Sequence, residues 1–191
     1  MRDDALVRFR YRSPGPGKTN IYAPAVGPHM SSVLILGARG EACIAADFMA
    51  QVQALPCEVL PMDADMVCGK VHLEAAVAHA QRAIEQGTNA SAAVSMETML
   101  FASGERQISK AKTKMGVKNG TTNFALVLFD CDDPGEVLHR LWLIKDDLVL
   151  LPSREKAIAY GIESEELKTV PDRQATDLVL ERVAFVEILK R

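Results

Sequence analysis

The sequence predicts an α/β fold of the α+β type: a small, mostly antiparallel sheet packed against a cluster of helices in a single domain. Three observations predict it. Residues 31–40, "SSVLILGARG", and 123–130, "NFALVLFD", are rich in the apolar and β-branched residues of buried strands. The segments between them carry apolar residues at helical spacing. The elements come in runs instead of a regular βαβ alternation, which favours segregated layers. A chain of 191 residues, 48% hydrophobic and 25% charged, is long enough for one good core and has the composition of an ordinary globular protein.

The elements follow in order. Residues 1–29 mix basic residues with Pro and Gly and show no helical period, so they are expected to be a flexible arm or an extension ahead of a start at Met30. The folded domain is expected over residues 31–191. After the first strand, Ile44, Phe48, Val52 and Leu55 recur at helical spacing until Pro56, and "CEVL" (57–60) reads as a second strand. Leu73, Val77, Ala80 and Ile84 form the stripe of a long helix closed by Gly87. A helix from about Asn89 to Ala102 stops at Ser103-Gly104, and another from Glu105 to Met115 buries Ile108, Ala111 and Met115. The central strand comes next. Asp133 and Pro134 are a cap and a first-turn proline for a helix through Leu143. Ser153 opens a short helix ended by Gly161, Asp172 opens the last helix, and "RVAFVEIL" (182–189) reads as a final strand.

A net charge of −3 means that a nucleic acid must be met by a local patch. Such a patch exists. Residues 104–120 hold Arg106, Lys110, Lys112, Lys114 and Lys118 against the single acid Glu105, a net +4. Arg106, Lys110 and Lys114 stand at i, i+4 and i+8 and are expected to form one ridge. In "GVKNG" two glycines flank Lys118, which leaves backbone N–H groups for a phosphate or a base. The bland alternative is a solvated helix face.

Other features yield less. Cys43, Cys57, Cys68 and Cys131 contain no C-x-x-C pair and complete no zinc spacing with the four histidines, so no metal or cofactor is expected. Unpaired thiols, with no apolar run long enough to span a bilayer, suggest a cytoplasmic protein without membrane contact. "PGPGKTN" (14–20) resembles a phosphate loop, but Arg12 stands where its first glycine belongs. "LVLFDCDDP" delivers Asp130 and Asp132 at the D-x-D spacing of a magnesium-dependent aspartate-nucleophile phosphatase, the rival reading. Its remaining candidates, Lys145 and Asp146-Asp147, crowd together, and capping by Asp132 and Asp133 explains the acids equally. Leu141 stands where a calcium loop needs its glutamate. His72 and His79, seven apart, are expected to be satisfied surface or partner-facing histidines.

The stretch from Gly69 to Gly120 resembles the regulatory subunit of the KEOPS complex, the family also called PRPK-binding protein, in its archaeal form. The likeness rests on "DAD" (63–65), "HLEAAVAHA" (72–80), "SMETMLFASGERQISKA" (95–111) and "GVKNG" (116–120), and continues weakly to "ERVAFVEILK". It implies a non-catalytic subunit of the assembly that makes threonylcarbamoyladenosine in tRNA. Such a subunit binds and stimulates the kinase-like ATPase of that assembly, recruits tRNA by its 3′ CCA end, and meets the other subunits indirectly. Carried onto this chain, the tRNA contacts fall on Arg106, Gln107, Lys110, Lys114, Gly116 and Lys118, with Lys70 and Arg82 further out. Apolar contacts from Met115 or Val117 are expected in place of aromatic stacking. The kinase-like partner is expected on Leu73, Val77, Met96, Met99 and Leu100.

Overall fold

The computed structural model describes residues 32–171 and 174–189. The expectations for residues 1–29, for Pro14–Asn20 and for a helix start at Asp172 lie outside the described residues. Among those described, the chain runs β1 (Val33–Arg39), α1 (Ala45–Gln53), β2 (Glu58–Asp63), a 3-10 turn (Ala64–Met66), α2 (Lys70–Glu85), α3 (Val94–Ser103), α4 (Ile108–Met115), β3 (Asn123–Phe129) and α5 (Pro134–Arg140). It then forms β4 (Ile144–Lys145), a 3-10 turn (Asp147–Leu150), α6 (Arg154–Tyr160), α7 (Ser164–Lys168) and α8 (Ala175–Leu189). The sheet has the order β2-β3-β1-β4, with every neighbouring pair antiparallel.

The strand period of two divides the core. From β3, Phe124, Leu126 and Leu128 point to one face, where they meet Phe48 and Val52 of α1 and Val137 of α5. Ala125, Val127 and Phe129 point to the other, against α2, α3, α4, α6 and α8. Helices therefore cover both faces unequally, and β3 reads as an unbroken apolar run because neither face meets water.

Within the thicker layer α3 is the central helix. Every one of its residues except Met96 is buried, so it needs no polar face. It starts five residues later than its pattern suggested, because the Glu97 carboxylate reaches back to the N–H groups of Ala90 and Ser91, at 3.0 Å each, and holds that segment as a loop. Asp133 accepts from the Glu136 N–H at 3.0 Å and Ser153 from the Lys156 N–H at 3.2 Å, so α5 and α6 start where their caps predicted.

Two expectations are corrected. "RVAFVEIL" is the end of α8 and not a strand. Ala175, Val179, Val183 and Val186 recur at i, i+4, i+8 and i+11, and this stripe packs on α2, α3 and α6. That burial outweighs the local strand preference of valine and phenylalanine. Cys57 and Cys131 form a disulfide with a Cα–Cα distance of 5.3 Å. The β2–β3 register, which sets Glu58 opposite Phe129, brings their strand ends together from 74 residues apart. Cys43 and Cys68 remain thiols. Among the described residues, no helix is long and apolar enough to cross a membrane.

Candidate functional site

The basic segment is built as a helix and a pinned loop. α4 begins after Gln107, so Arg106 and Gln107 precede it and the expected three-cation ridge is broken. Arg106, Lys110, Lys112 and Lys118 are exposed, and none forms an ion pair with a described acid. Lys118 leans back towards the Lys114 carbonyl, 3.5 Å from its Nζ, within the field of Asp63. Glu105, Ser109, Lys110, Thr113 and Lys114 line a groove of about 290 Å³ along one side of α4.

Lys114 turns the other way. Its ammonium donates to the Ser103 carbonyl at 2.7 Å and sits 3.8 Å above the centre of the Tyr160 ring. Burial pushes its pKa below the usual lysine range, Glu105 acts against that shift, and Arg182 adds to it. Tyr160 is 2% exposed. Its hydroxyl, which has no hydrogen-bond partner among the described residues, lies 2.9 Å from where a Cβ on Gly104 would sit. With a φ of 71°, Gly104 both ends α3 and leaves room for that ring.

Beneath this pair, His72 is fully buried and not a surface residue. Its Nδ1 accepts from the Cys68 N–H at 3.2 Å, and its Nε2–H donates to the Ala102 carbonyl at 2.8 Å. Burial holds its pKa down at about 4, so the ring is neutral. Burial also pushes the Cys68 thiol up to about 11. The inner side of the helical layer is thus a place where charge is unwelcome. His79 is satisfied at the surface by Glu187, at 3.2 Å.

The "GVKNG" loop is less open than its glycines suggested. The N–H groups of Gly116, Lys118, Gly120 and Thr121 go to the Lys112 carbonyl, the Thr121 hydroxyl, the Cys43 carbonyl and the Lys118 carbonyl. Asn119 accepts from the Ala45 N–H at 2.9 Å and so caps α1. These amides hold the loop and are not a phosphate cradle. At Gly116 a Cβ would collide with the Lys112 carbonyl, so the glycine serves the chain's exit from α4. Met115 is fully buried and cannot meet a base, while Val117 is partly buried against the α1–α5 side.

The outlying residues divide. Lys70 is exposed at the first position of α2. Arg82 lies twelve residues further along that helix, about 18 Å at 1.5 Å per residue, and pairs with Glu187 at 3.7 Å, so it stands apart from the basic face. Of the residues expected to meet the partner, Leu73, Val77, Met99 and Leu100 are 0 to 6% exposed, packed between α2, α3 and the sheet, and Met96 is half-buried. The outward apolar side chains of this layer include Val71, Phe185 and Ile188 instead.

The D-x-D segment does not assemble a phosphatase site. Asp130, at a φ of 51°, accepts from the Ser32 N–H at 2.8 Å and closes the end of β1, while Asp133 caps α5. Asp146 and Asp147 are spent on Arg39, Lys145 and the turn after β4. Among the described residues no three His, Cys, Asp or Glu are grouped closely enough to hold a metal ion.

With this geometry in hand, the family model for kinase binding protein CGI-121 matches residues 43–185, from the start of the α1 segment to Phe185 of α8. The chain belongs to this family. CGI-121 is a non-catalytic kinase-binding protein. No match to the chain was found among curated proteins. Lys114, Tyr160 and Gly104 form a unit that spacing could not reveal, because 46 residues separate the lysine from its ring.

Proposed function

We propose that this CGI-121 protein is the non-catalytic subunit of a KEOPS-type assembly, and that it brings tRNA in by its single-stranded 3′ CCA end. In the same complex it binds and stimulates the kinase-like ATPase, and it meets the remaining subunits through that partner. The observation that carries the reading is the set of exposed cations on one segment, Arg106, Lys110, Lys112 and Lys118, that make no ion pair with a described acid. Cations already paired would exchange one partner for another; these exchange only counterions when phosphates arrive, which favours binding.

The groove beside Lys110 and Ser109, about 290 Å³, is just below the roughly 300–1,000 Å³ range of small-ligand clefts. It suits a loose strand end and not a duplex. Arg106 and Gln107, on the turn into α4, offer a guanidinium plane and an amide to a base, the elements by which unpaired nucleotides are read. Lys114 and Gly116 support this face from behind.

The test is a filter-binding titration with tRNA at low salt. Lys110→Glu together with Lys118→Glu replaces two attractive charges by two repulsive ones. The expected result is at least a tenfold loss of affinity with an unchanged melting temperature. Undiminished retention of tRNA by the double variant would overturn the reading.

A further inference from the structure

Away from the basic face, three of the most exposed large apolar side chains share one groove at the β4 edge of the sheet. Trp142 is 80% exposed, Ile144 76% and Ile44 62%. They rim a cleft of about 660 Å³, in which Phe48, Phe124 and Leu143 lie buried, the two phenylalanine rings stacking 4.7 Å apart. Isolated apolar residues on a surface are ordinary, but a cluster rimming a cleft marks an interaction site.

The backbone at Trp142 is a second observation. α5 ends with the Leu143 N–H on the Leu138 carbonyl and the Trp142 N–H on the His139 carbonyl. This pattern places Trp142 at the position glycine usually takes, with a φ of 55°. A tryptophan there is strained, and its ring contributes little burial in return. Strain held in place by the surroundings is typical of binding sites.

Charge decides what the groove can hold. Its charged lining is Arg39, Glu41 and Asp47, and the Cys43 thiol is neutral. Arg39 is neutralised by Asp146 at 2.6 Å. Glu41 and Asp47 make no ion pair with a described residue, and only Asp47, in the first turn of α1, has the helix dipole to offset it. The residual charge is negative beside an apolar floor, which opposes a nucleic acid. It also opposes a second copy of this chain, whose two-fold contact would set these carboxylates against their own mates.

We propose that the groove docks a segment of another protein that carries apolar anchors beside lysine or arginine. Trp142 covers the bound segment, Ile44 and Ile144 flank it, and Glu41 and Asp47 face its cations. The inference is independent of the tRNA reading, because neither site uses a residue of the other.

Trp142 is the only tryptophan in the chain, so its emission reports on the groove directly. The full chain is titrated with a Leu/Lys peptide and with a Leu/Glu peptide of equal length and apolar content. The expected result is a saturable blue shift with the first and none with the second. By anisotropy of the labelled Leu/Lys peptide, Trp142→Gly, which suits the local backbone and leaves the turn folded, weakens binding at least tenfold. Glu41→Lys with Asp47→Asn reverses the preference between the two peptides. Equal responses to both peptides, no saturable shift, or unchanged affinity in Trp142→Gly would overturn the proposal. So would a dimer that the Leu/Lys peptide fails to dissociate in sedimentation, or a saturable shift produced by oligonucleotide alone.

Discussion

Lys110 and Lys114 are the same residue one helical turn apart on α4, and the protein uses them in opposite ways. Lys110 stands in solvent without an ion pair to a described acid, on the rim of a groove. Lys114 is folded inward onto the Ser103 carbonyl and the Tyr160 ring, and burial makes its charge harder to hold. A row of basic residues is therefore not one electrostatic surface. Its outer members face solvent, while an inner member ties α3, α4 and α6 together.

Reversing the charge at each position separates the two lysines most strongly. Lys114→Glu sets a carboxylate against a carbonyl oxygen and the negative face of an aromatic ring. It is expected to cost about 3 kcal/mol of stability, in the range for an uncompensated buried charge. Lys110→Glu, made at the surface, is expected to stay within about 0.5 kcal/mol. Urea denaturation of the two variants checks both numbers, and equal losses would erase the distinction.

The same inner side predicts a pH effect. His72 has a folded pKa of about 4 against an ordinary 6.5, so the unfolded chain binds its proton more readily. Stability is therefore complete above about pH 6.5 and falls as pH drops towards 4. The loss is on the order of 3 kcal/mol, at 1.36 kcal/mol for each pKa unit. Melting curves across that window follow it. In His72→Gln this part of the slope should disappear, whereas Lys110→Ala, on the outer side, should leave it intact.

Much of this architecture is legible in the chain because its signals are local. β1 and β3 announce themselves as apolar runs between turn residues, α5 by Asp133-Pro134, and α6 by Ser153 and Gly161. The basic segment is equally plain. What eludes reading is set by distant partners. α8 carries strand-forming residues at helical spacing and becomes a helix because α2 and α3 need covering. The Cys57–Cys131 bond depends on the β2–β3 register, and the inward turn of Lys114 on a ring contributed by α6. The amides of the loop after Met115 looked available, yet their acceptors lie at Cys43, Lys112, Lys118 and Thr121. The apolar residues of α2 and α3 invited a docking role for a similar reason: the sequence lists them without showing the sheet that buries them.

Trp142 shows that an exposed side chain can cost stability through its backbone. Replacing Trp142 by glycine relieves the positive φ and should stabilise the protein by about 1 kcal/mol. An increase in melting temperature of a few degrees checks it. A loss of stability would mean that the indole is a structural part of the α5 end.

The outer face of α4 is tested most directly by titrating the purified chain with intact tRNA and with tRNA trimmed of its CCA end, at matched salt. A face that receives the loose terminus predicts that intact tRNA binds at least tenfold more tightly, and that Lys110→Glu with Lys118→Glu removes the preference. Equal affinity for the two tRNAs would contradict the account.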